Sequence, residues 1–317
     1  MPSVPRMPSM PRTPSLLDRL PSGSRIAVIR LRSLGDCVLT TPALALLKAH
    51  RPDLQLAVVA EGRFRAVFED NPDVAEILRP TASAIAAWKP RLVLNLHGGT
   101  RSMALTIGSR ARLRAGFAHH RYSFIYSHKI PRAQEILGEE RPVHTAEHIA
   151  SAMFWLGVPR QEILRAKLIA DPAIEVPSNP YAVLHPFASQ QAKTWPAMRF
   201  LAVAAYLKNA CGWEPIFLAG PTDDTTPFTN FRVYRNAPLK EVKALVSRAQ
   251  LFVGNDSGPA HVAASFGIPE VVLFGPSDPV TWSPWRTEAR VLTCAQDMAQ
   301  LDAAQVITAI ESLQVCA

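Results

Sequence analysis

The chain has 317 residues and is 48% hydrophobic, enough for two cores of ordinary domain size. It contains no run of eighteen apolar residues, so no helix is expected to span a bilayer. Its charge of +8 is uneven: residues 1–170 hold 24 Lys+Arg against 13 Asp+Glu and residues 171–317 hold 10 against 13, so +11 and −3 recover the total. A basic first half suggests an anionic partner docking there, with nucleic acid, acidic lipid and phosphorylated glycan all open.

Residues 1–24 are rich in proline and arginine, nearly repeat MPSVPR as MPSMPR, and lack the apolar stretch of a secretory signal. They are expected to form a disordered tail, with Met7 and Met10 as alternative starts. Arg25–Leu31 (RIAVIRL) is a predicted strand running into a turn at Gly35 and Asp36, then an apolar helix from about Pro42 to His50. Gln55–Ala60 is the next strand, and Glu61–Asp70 a helix carrying Arg63 and Arg65. Leu92–Leu96 is a third strand, ending in Asn95, His97, Gly98 and Gly99. Helices follow at Arg101–Ile107 and Thr145–Leu156, with a short strand near Gly116. This alternation predicts a doubly wound α/β domain over residues 25–170.

Asp171–Pro180, rich in proline and polar residues, is the expected linker. A second alternation covers 181–300: strand Tyr181–Leu184, polar loop His185–Thr194, helix Pro196–Cys211, strand Glu214–Leu218 and helix Leu239–Ala249. Then comes LFVGNDSGPAHVAASFGIPEVVLFG (Leu251–Gly275), a strand, capped turn, short helix and strand. An amphipathic helix at Leu301–Leu313 closes the chain within 301–317. Cys37, Cys211, Cys294 and Cys316 are scattered, which argues against a disulfide scaffold or a metal site and favours a reducing cytosol.

The turn at Asp256, Ser257 and Gly258 lies at the carboxyl end of a strand and under a helix N-terminus, where backbone N–H groups and the helix dipole suit phosphate. A plain capped turn has the same donors. Lys193 and Ser189 lie in a loop expected beside that turn, so an ammonium, a hydroxyl and a helix end could converge on one anion; a surface lysine is the alternative. Asp36, the only acid between Asp18 and Asp53, could take a proton from a hydroxyl or merely cap a helix. Asp223 and Asp224 could accept from a ribose diol or form a solvated turn. Arg63, Arg65, Arg101, Arg110, Arg112 and Arg114 could cradle an anion or be solvated. G-x-G-x-x-G after the first strand, the P-loop pattern and H-E-x-x-H are all absent.

Four segments, LRSLGDCVLTTPALALLK (Leu31–Lys48), LVLNLHGG (Leu92–Gly99), HPFASQQAKTWP (His185–Pro196) and VGNDSGPAHVAASFGIPEVVLFGPSDPVTWSPW (Val253–Trp285), resemble glycosyltransferase family 9, the bacterial lipopolysaccharide heptosyltransferases. The resemblance implies a GT-B fold, two Rossmann-like domains facing a cleft, with acceptor on the first and an ADP-sugar donor on the second. It implies inverting transfer with no cofactor and no metal. Asp36 then matches the general base. Ser189 and Lys193 match the diphosphate-holding pair, and Asp256, Ser257, Gly258 and His261 the sugar- and phosphate-binding motif. Asp224 or Asp223 would hold the ribose, although the stretch to Leu239 is short for the family. Arg63, Arg65 and Arg101 would face an anionic lipopolysaccharide-core acceptor.

The motif style is closer to the second-heptose enzymes than to the first. The expected protein is a cytoplasmic monomer, peripheral at the inner face of the inner membrane, with no nucleic-acid partner. A family 9 transferase using another nucleotide sugar and a GT-B sugar-nucleotide epimerase are the alternatives.

Overall fold

Short apolar runs buried on both faces favour parallel strands with helices packed on either side, and this arrangement occurs twice. The computed structural model describes residues 14–316. In the first unit β1 (Arg25–Ile29), β2 (Gln55–Val59), β3 (Glu76–Leu78), β4 (Leu92–Asn95), β5 (Leu113–Phe117) and β6 (His128–Ile130) form a parallel sheet in the order β3-β2-β1-β4-β5-β6. In the second, β7 (Tyr181–His185), β8 (Glu214–Ala219), β9 (Arg232–Arg235), β10 (Leu251–Asn255), β11 (Glu270–Phe274) and β12 (Ala289–Thr293) follow β12-β11-β10-β7-β8-β9. Each order is the doubly wound one: the first and fourth strands of each unit, β1 with β4 and β7 with β10, lie side by side where the winding reverses. Ligands of such sheets bind at that reversal, beyond the carboxyl ends of the strands.

Two expectations need correction. The tail was expected to run to residue 24, yet Leu16, Leu17 and Leu20 are buried, and the Leu17 amide donates to the Leu156 carbonyl at 3.1 Å. Three leucines within five residues cover the end of the helix Thr145–Leu156, and apolar burial of that kind outweighs the ordering entropy of a short segment. The near-repeat and Met7 and Met10 lie outside the described residues. The cysteines are not all free either. Cys211 and Cys316 form a disulfide that ties the end of the helix Ala197–Ala210 to the chain's last turn. They are 105 residues apart, a pairing that only tertiary packing brings about.

The segment from 157 to 180 carries no helix or strand, so the connection begins well before Asp171. The units are bound closely to each other. Lys243, 2% exposed, donates from Nζ to the Ala66 carbonyl at 2.6 Å, His144 Nε2 bonds the Ser283 carbonyl at 2.8 Å, and Trp285 Nε1 donates to the Leu164 carbonyl at 3.1 Å.

At the centre of this contact the short helix Leu34–Val38 lies against the helix Gly258–Phe266, and two glycines permit the approach. A Cβ on Gly35 would fall 2.4 Å from the His261 ring, and one on Gly258 would fall 2.8 Å from the Leu34 side chain. A side chain at either position could be accommodated only by a shift of the His261 ring, the Leu34 side chain or the helices that carry them.

Candidate active site

A cavity of about 650 Å3 opens between the carboxyl ends of the two sheets. Ser33, Leu34, Gly35 and Arg63 of the first unit form one wall, and Ser189, Lys193, Asp256, Ser257, Gly258 and His261 of the second form the other. Six of the donor-site residues singled out in the sequence therefore meet in one place.

Their positions follow from local packing. Asn255 ends β10 fully buried, and its Oδ1 accepts from the Trp195 amide at 3.1 Å, which pins the preceding loop to the strand. Trp195 is itself buried and donates from Nε1 to the Leu301 carbonyl at 2.7 Å. With the loop held, Lys193 Nζ reaches Asp256 Oδ2 at 3.0 Å. Ser257 occupies the N-cap of the helix Gly258–Phe266 but makes no capping bond. Its Oγ lies 3.2 Å from His185 Nδ1 instead. Ser257, Gly258 and Pro259, at the N-terminal and positive end of that helix's dipole, line the cavity.

Burial holds the imidazoles of His185 and His261 down to a pKa of about 4, so both are neutral near pH 7. His261 Nδ1 is buried and without a hydrogen-bond partner. Asp256 and Asp36, one from each unit, both exert an upward pull on this imidazole that burial outweighs.

Asp36 stands directly behind Gly35 in the first wall, with its side chain 23% exposed. Its Oδ2 accepts from the Ser33 amide and the Ser33 hydroxyl, both at 3.1 Å, and its Oδ1 accepts from Arg30 Nη1 at 3.1 Å. Arg30 is buried, and Thr40 Oγ1 accepts from its Nε at 3.2 Å. Burial lowers the Arg30 pKa, and the Asp36 charge opposes the shift. The carboxylate is therefore fixed in direction; it is partly exposed, but unlike Ser33, Leu34 and Gly35 it does not itself border the cavity.

The remaining sequence candidates fare unevenly. Arg63 borders the cavity but pairs with Glu61 at 3.1 Å, and Arg101 pairs with the other oxygen of the same carboxylate at 2.8 Å. Arg65 donates to the Ile77 carbonyl at 2.8 Å and pairs with Glu69 at 3.3 Å; it does not border the cavity. Asp223 lines the cavity and accepts from the Gly220 amide at 2.7 Å. Asp224 borders a side chamber that shares Phe187, Ala188 and Asp223 with the main cavity, and it accepts from the Thr226 amide at 3.0 Å.

Sequence reasoning overlooked Arg30, His185 and Trp282. Arg30 and His185 hold equivalent places, at or just past the end of the first strand of each unit, and a lone polar residue ending an apolar strand was the available signal. Trp282 borders the cavity with its ring 6.5 Å from that of His261, edge to face. It closes the short helix Pro279–Trp282, and nothing in the local pattern marks it.

Comparison with known proteins follows the same lines. The sequence profile of glycosyltransferase family 9 (heptosyltransferase) matches residues 88–308. The chain is similar to lipopolysaccharide heptosyltransferase 3 of Escherichia coli, 27% identical over 288 residues, which span 79% of this chain and 83% of the relative. Its fold resembles that of a family 9 glycosyltransferase from Veillonella parvula, with a TM-score of 0.79 and 24% identity over 92% of this chain and 97% of the other. It also resembles E. coli ADP-heptose lps heptosyltransferase II, with a TM-score of 0.77 and 19% identity over 91% and 98%. The doubled sheet and its cleft are thus the GT-B arrangement.

Proposed function

The chain belongs to glycosyltransferase family 9, and we propose that it moves a heptose from ADP-L-glycero-D-manno-heptose to the inner core of lipopolysaccharide with inversion at the anomeric carbon. One observation carries this reading most: a lysine and a helix N-terminus lie on one wall of a single cavity, and a fixed carboxylate stands behind the other.

In this scheme the acceptor oxygen attacks C1 as its proton passes to the Asp36 carboxylate. The C1–O bond to the diphosphate breaks, and ADP leaves with the electron pair. Lys193 and the amides at Ser257 and Gly258 lower the energy of the developing negative charge, the usual route by which fixed dipoles accelerate such a step. Ser189 would add a hydroxyl to the diphosphate, the His261 ring would border the donor sugar, and Asp223 or Asp224 would accept from the ribose; each lines the cavity or its side chamber. No helix among the described residues is long and apolar enough to cross a membrane. An acceptor at the membrane surface would be met from the side of the basic first unit.

The motif style favours the second heptose of the core, while similarity to a protein named heptosyltransferase 3 favours a later one. Purified protein should be incubated with ADP-heptose and three cores, ending in the acidic sugar, in one heptose and in two heptoses. Following ADP release and gain of a heptosyl unit by mass identifies the step. Failure to release ADP with every acceptor would refute the proposal, and turnover with UDP- or GDP-sugars instead would move the chain to another donor.

A further inference from the structure

Residues 77–134 contain ten Lys and Arg and neither Asp nor Glu, so this stretch alone exceeds the +8 of the whole chain. It includes the helix Ala82–Trp88, β4, the helix Thr100–Gly108, β5 and β6. Among the described residues nine of the ten cations have no carboxylate within ion-pair distance. Arg101 is the exception, meeting Glu61 at 2.8 Å. A solvated face usually intersperses both signs of charge.

These elements form one layer over one side of the sheet. Ile85 of the first helix and Leu105 of the second share a buried cluster with Ala27, Ile29 and Val93. The two helices meet at Gly108, where a Cβ would fall 2.5 Å from the Ala82 Cβ. The crossover from β5 to β6 lies on the same side: the Tyr122 hydroxyl is 3.0 Å from Thr100 Oγ1, and a Cβ on Gly116 would fall 2.4 Å from the Tyr126 ring.

The outer side of this layer is apolar at its centre. A surface helix normally turns charged residues outwards, yet Ala82–Trp88 (ASAIAAW) has none and Thr100–Gly108 (TRSMALTIG) has Arg101 alone. Instead the two helices expose Ala82, Ala87, Ala104 and Ile107, the last 49% exposed. Phe124, 74% exposed, stands beside them with its ring 6.4 Å from that of Tyr122. Exposed cations make the rim. Arg110 follows the second helix, Arg121 lies 5.5 Å from the Tyr122 ring, and Lys129 is in register with Gly116 on the edge strand β6. Glu61 is held by Arg63 and Arg101, and Glu76 lies away on the opposite edge strand β3.

An apolar centre with a basic rim fits a negatively charged lipid surface, where Phe and Ile enter the headgroup layer and Arg and Lys meet its phosphates. A second copy of the chain would set one basic rim against another. A nucleic acid needs cations under its phosphates across the contact, where this face has alanines and an isoleucine. We propose that the face formed by the helices Ala82–Trp88 and Thr100–Gly108 with Phe124 docks on an anionic bilayer. The face is continuous with the cleft, since Arg101 shares Glu61 with Arg63, which borders the main cavity. Docking therefore sets the rim of the cleft near the headgroups. The inference stands apart from the transferase reading.

The test uses the full chain and two variants. One combines Ile107→Ser with Phe124→Ser, and the other combines Arg110→Gln, Arg121→Gln and Lys129→Gln. All five residues are exposed, and an unchanged melting temperature verifies each fold. Co-sedimentation with phosphatidylcholine vesicles, with and without phosphatidylglycerol, is measured at low and high salt. Wild-type protein should bind the anionic vesicles, less as salt rises, and leave the zwitterionic ones unbound. Each basic residue near such a surface is worth about fivefold, so the triple substitution should weaken binding about a hundredfold at low salt. Loss of the two apolar side chains should weaken it at least about tenfold at either salt. Binding by both variants within twofold of wild type, or equal binding of wild type to the two kinds of vesicle, overturns the proposal. So does a random oligonucleotide bound more tightly than the anionic vesicles, or a dimer that the serine variant dissociates. Vesicle binding needs no turnover, so its failure leaves the transferase reading intact, and a protein that binds vesicles but transfers nothing refutes that reading alone.

Discussion

Replacing Lys193 by glutamine probes the donor wall most directly. The Lys193 ammonium is 3.0 Å from Asp256 Oδ2, with the two side chains 22% and 9% exposed. A unit charge about 4 Å from an anion near a protein surface is worth roughly 4 kcal/mol at an effective dielectric of about 20. Asp256 already offsets part of that field, so a bound diphosphate would gain about half, near 2 kcal/mol. Loss of the charge should weaken ADP binding about thirtyfold.

The transition state carries more negative charge on the leaving group than the ground state does, so kcat should fall further, by about 10²–10³. Calorimetric titration with ADP at low and high salt, beside a coupled assay of ADP release, measures both. Lys193→Arg should recover part of the affinity. Asp256→Asn, which frees the ammonium, should tighten ADP binding while slowing transfer. ADP affinity and kcat both within threefold of wild type for Lys193→Gln would refute this account of the leaving-group site.

Asp36→Asn should lower kcat by about 10²–10⁴ while leaving ADP affinity unchanged, since the removed group is the base and not a donor contact; single-turnover rates and ADP titration separate the two. Gly35→Ala places a methyl 2.4 Å from the His261 ring, and overpacking of this kind costs about 1–3 kcal/mol; a lower urea midpoint together with slower transfer is the expected pair of results. Trp282→Leu should weaken binding of ADP-heptose but not of ADP, because the indole borders the cavity beside His261, on the side assigned to the sugar; equal losses for both ligands would contradict that placement.

Acid should destabilise the fold through His185 and His261. Each has a folded-state pKa of about 4 against an ordinary 6.5, so below pH 6.5 the unfolded chain binds more protons than the folded one. Stability is full above pH 6.5 and is lost as pH falls towards 4. The difference of 2.5 units is worth about 3 kcal/mol at most for a wholly buried ring; urea midpoints at pH 7 and pH 5 that agree would count against it.

Much of the proposed donor site was legible because it is local. The Asp256–Gly258 turn, Pro259 in the first helical turn and the apolar runs on either side dictate a strand, cap and helix within some twenty residues. The alternation of strands and helices likewise settles a doubly wound class, since each buried run and each capped helix is a short-range feature. Short edge elements such as β3 and β6, three residues each, went unseen because so few side chains set no period.

What the sequence by itself determined, then, was the class of fold, the strand–cap–helix turn at Asp256–Gly258 and the residue types proposed to hold a diphosphate and accept a proton. The tertiary structure alone decided which of them are at liberty to act. Arg63, Arg65 and Arg101 look alike in any linear reading, yet Glu61 engages Arg63 and Arg101, Glu69 engages Arg65, and of the three Arg63 alone borders the cavity. Arg30 fixes Asp36, His185 draws the Ser257 hydroxyl away from its cap, and Phe117 stacks on His148, partners 6, 72 and 31 positions apart. The longer of these pairings depend on strand order and on how near two units pack, quantities that arise from the burial of whole faces and leave no mark on any one stretch of chain.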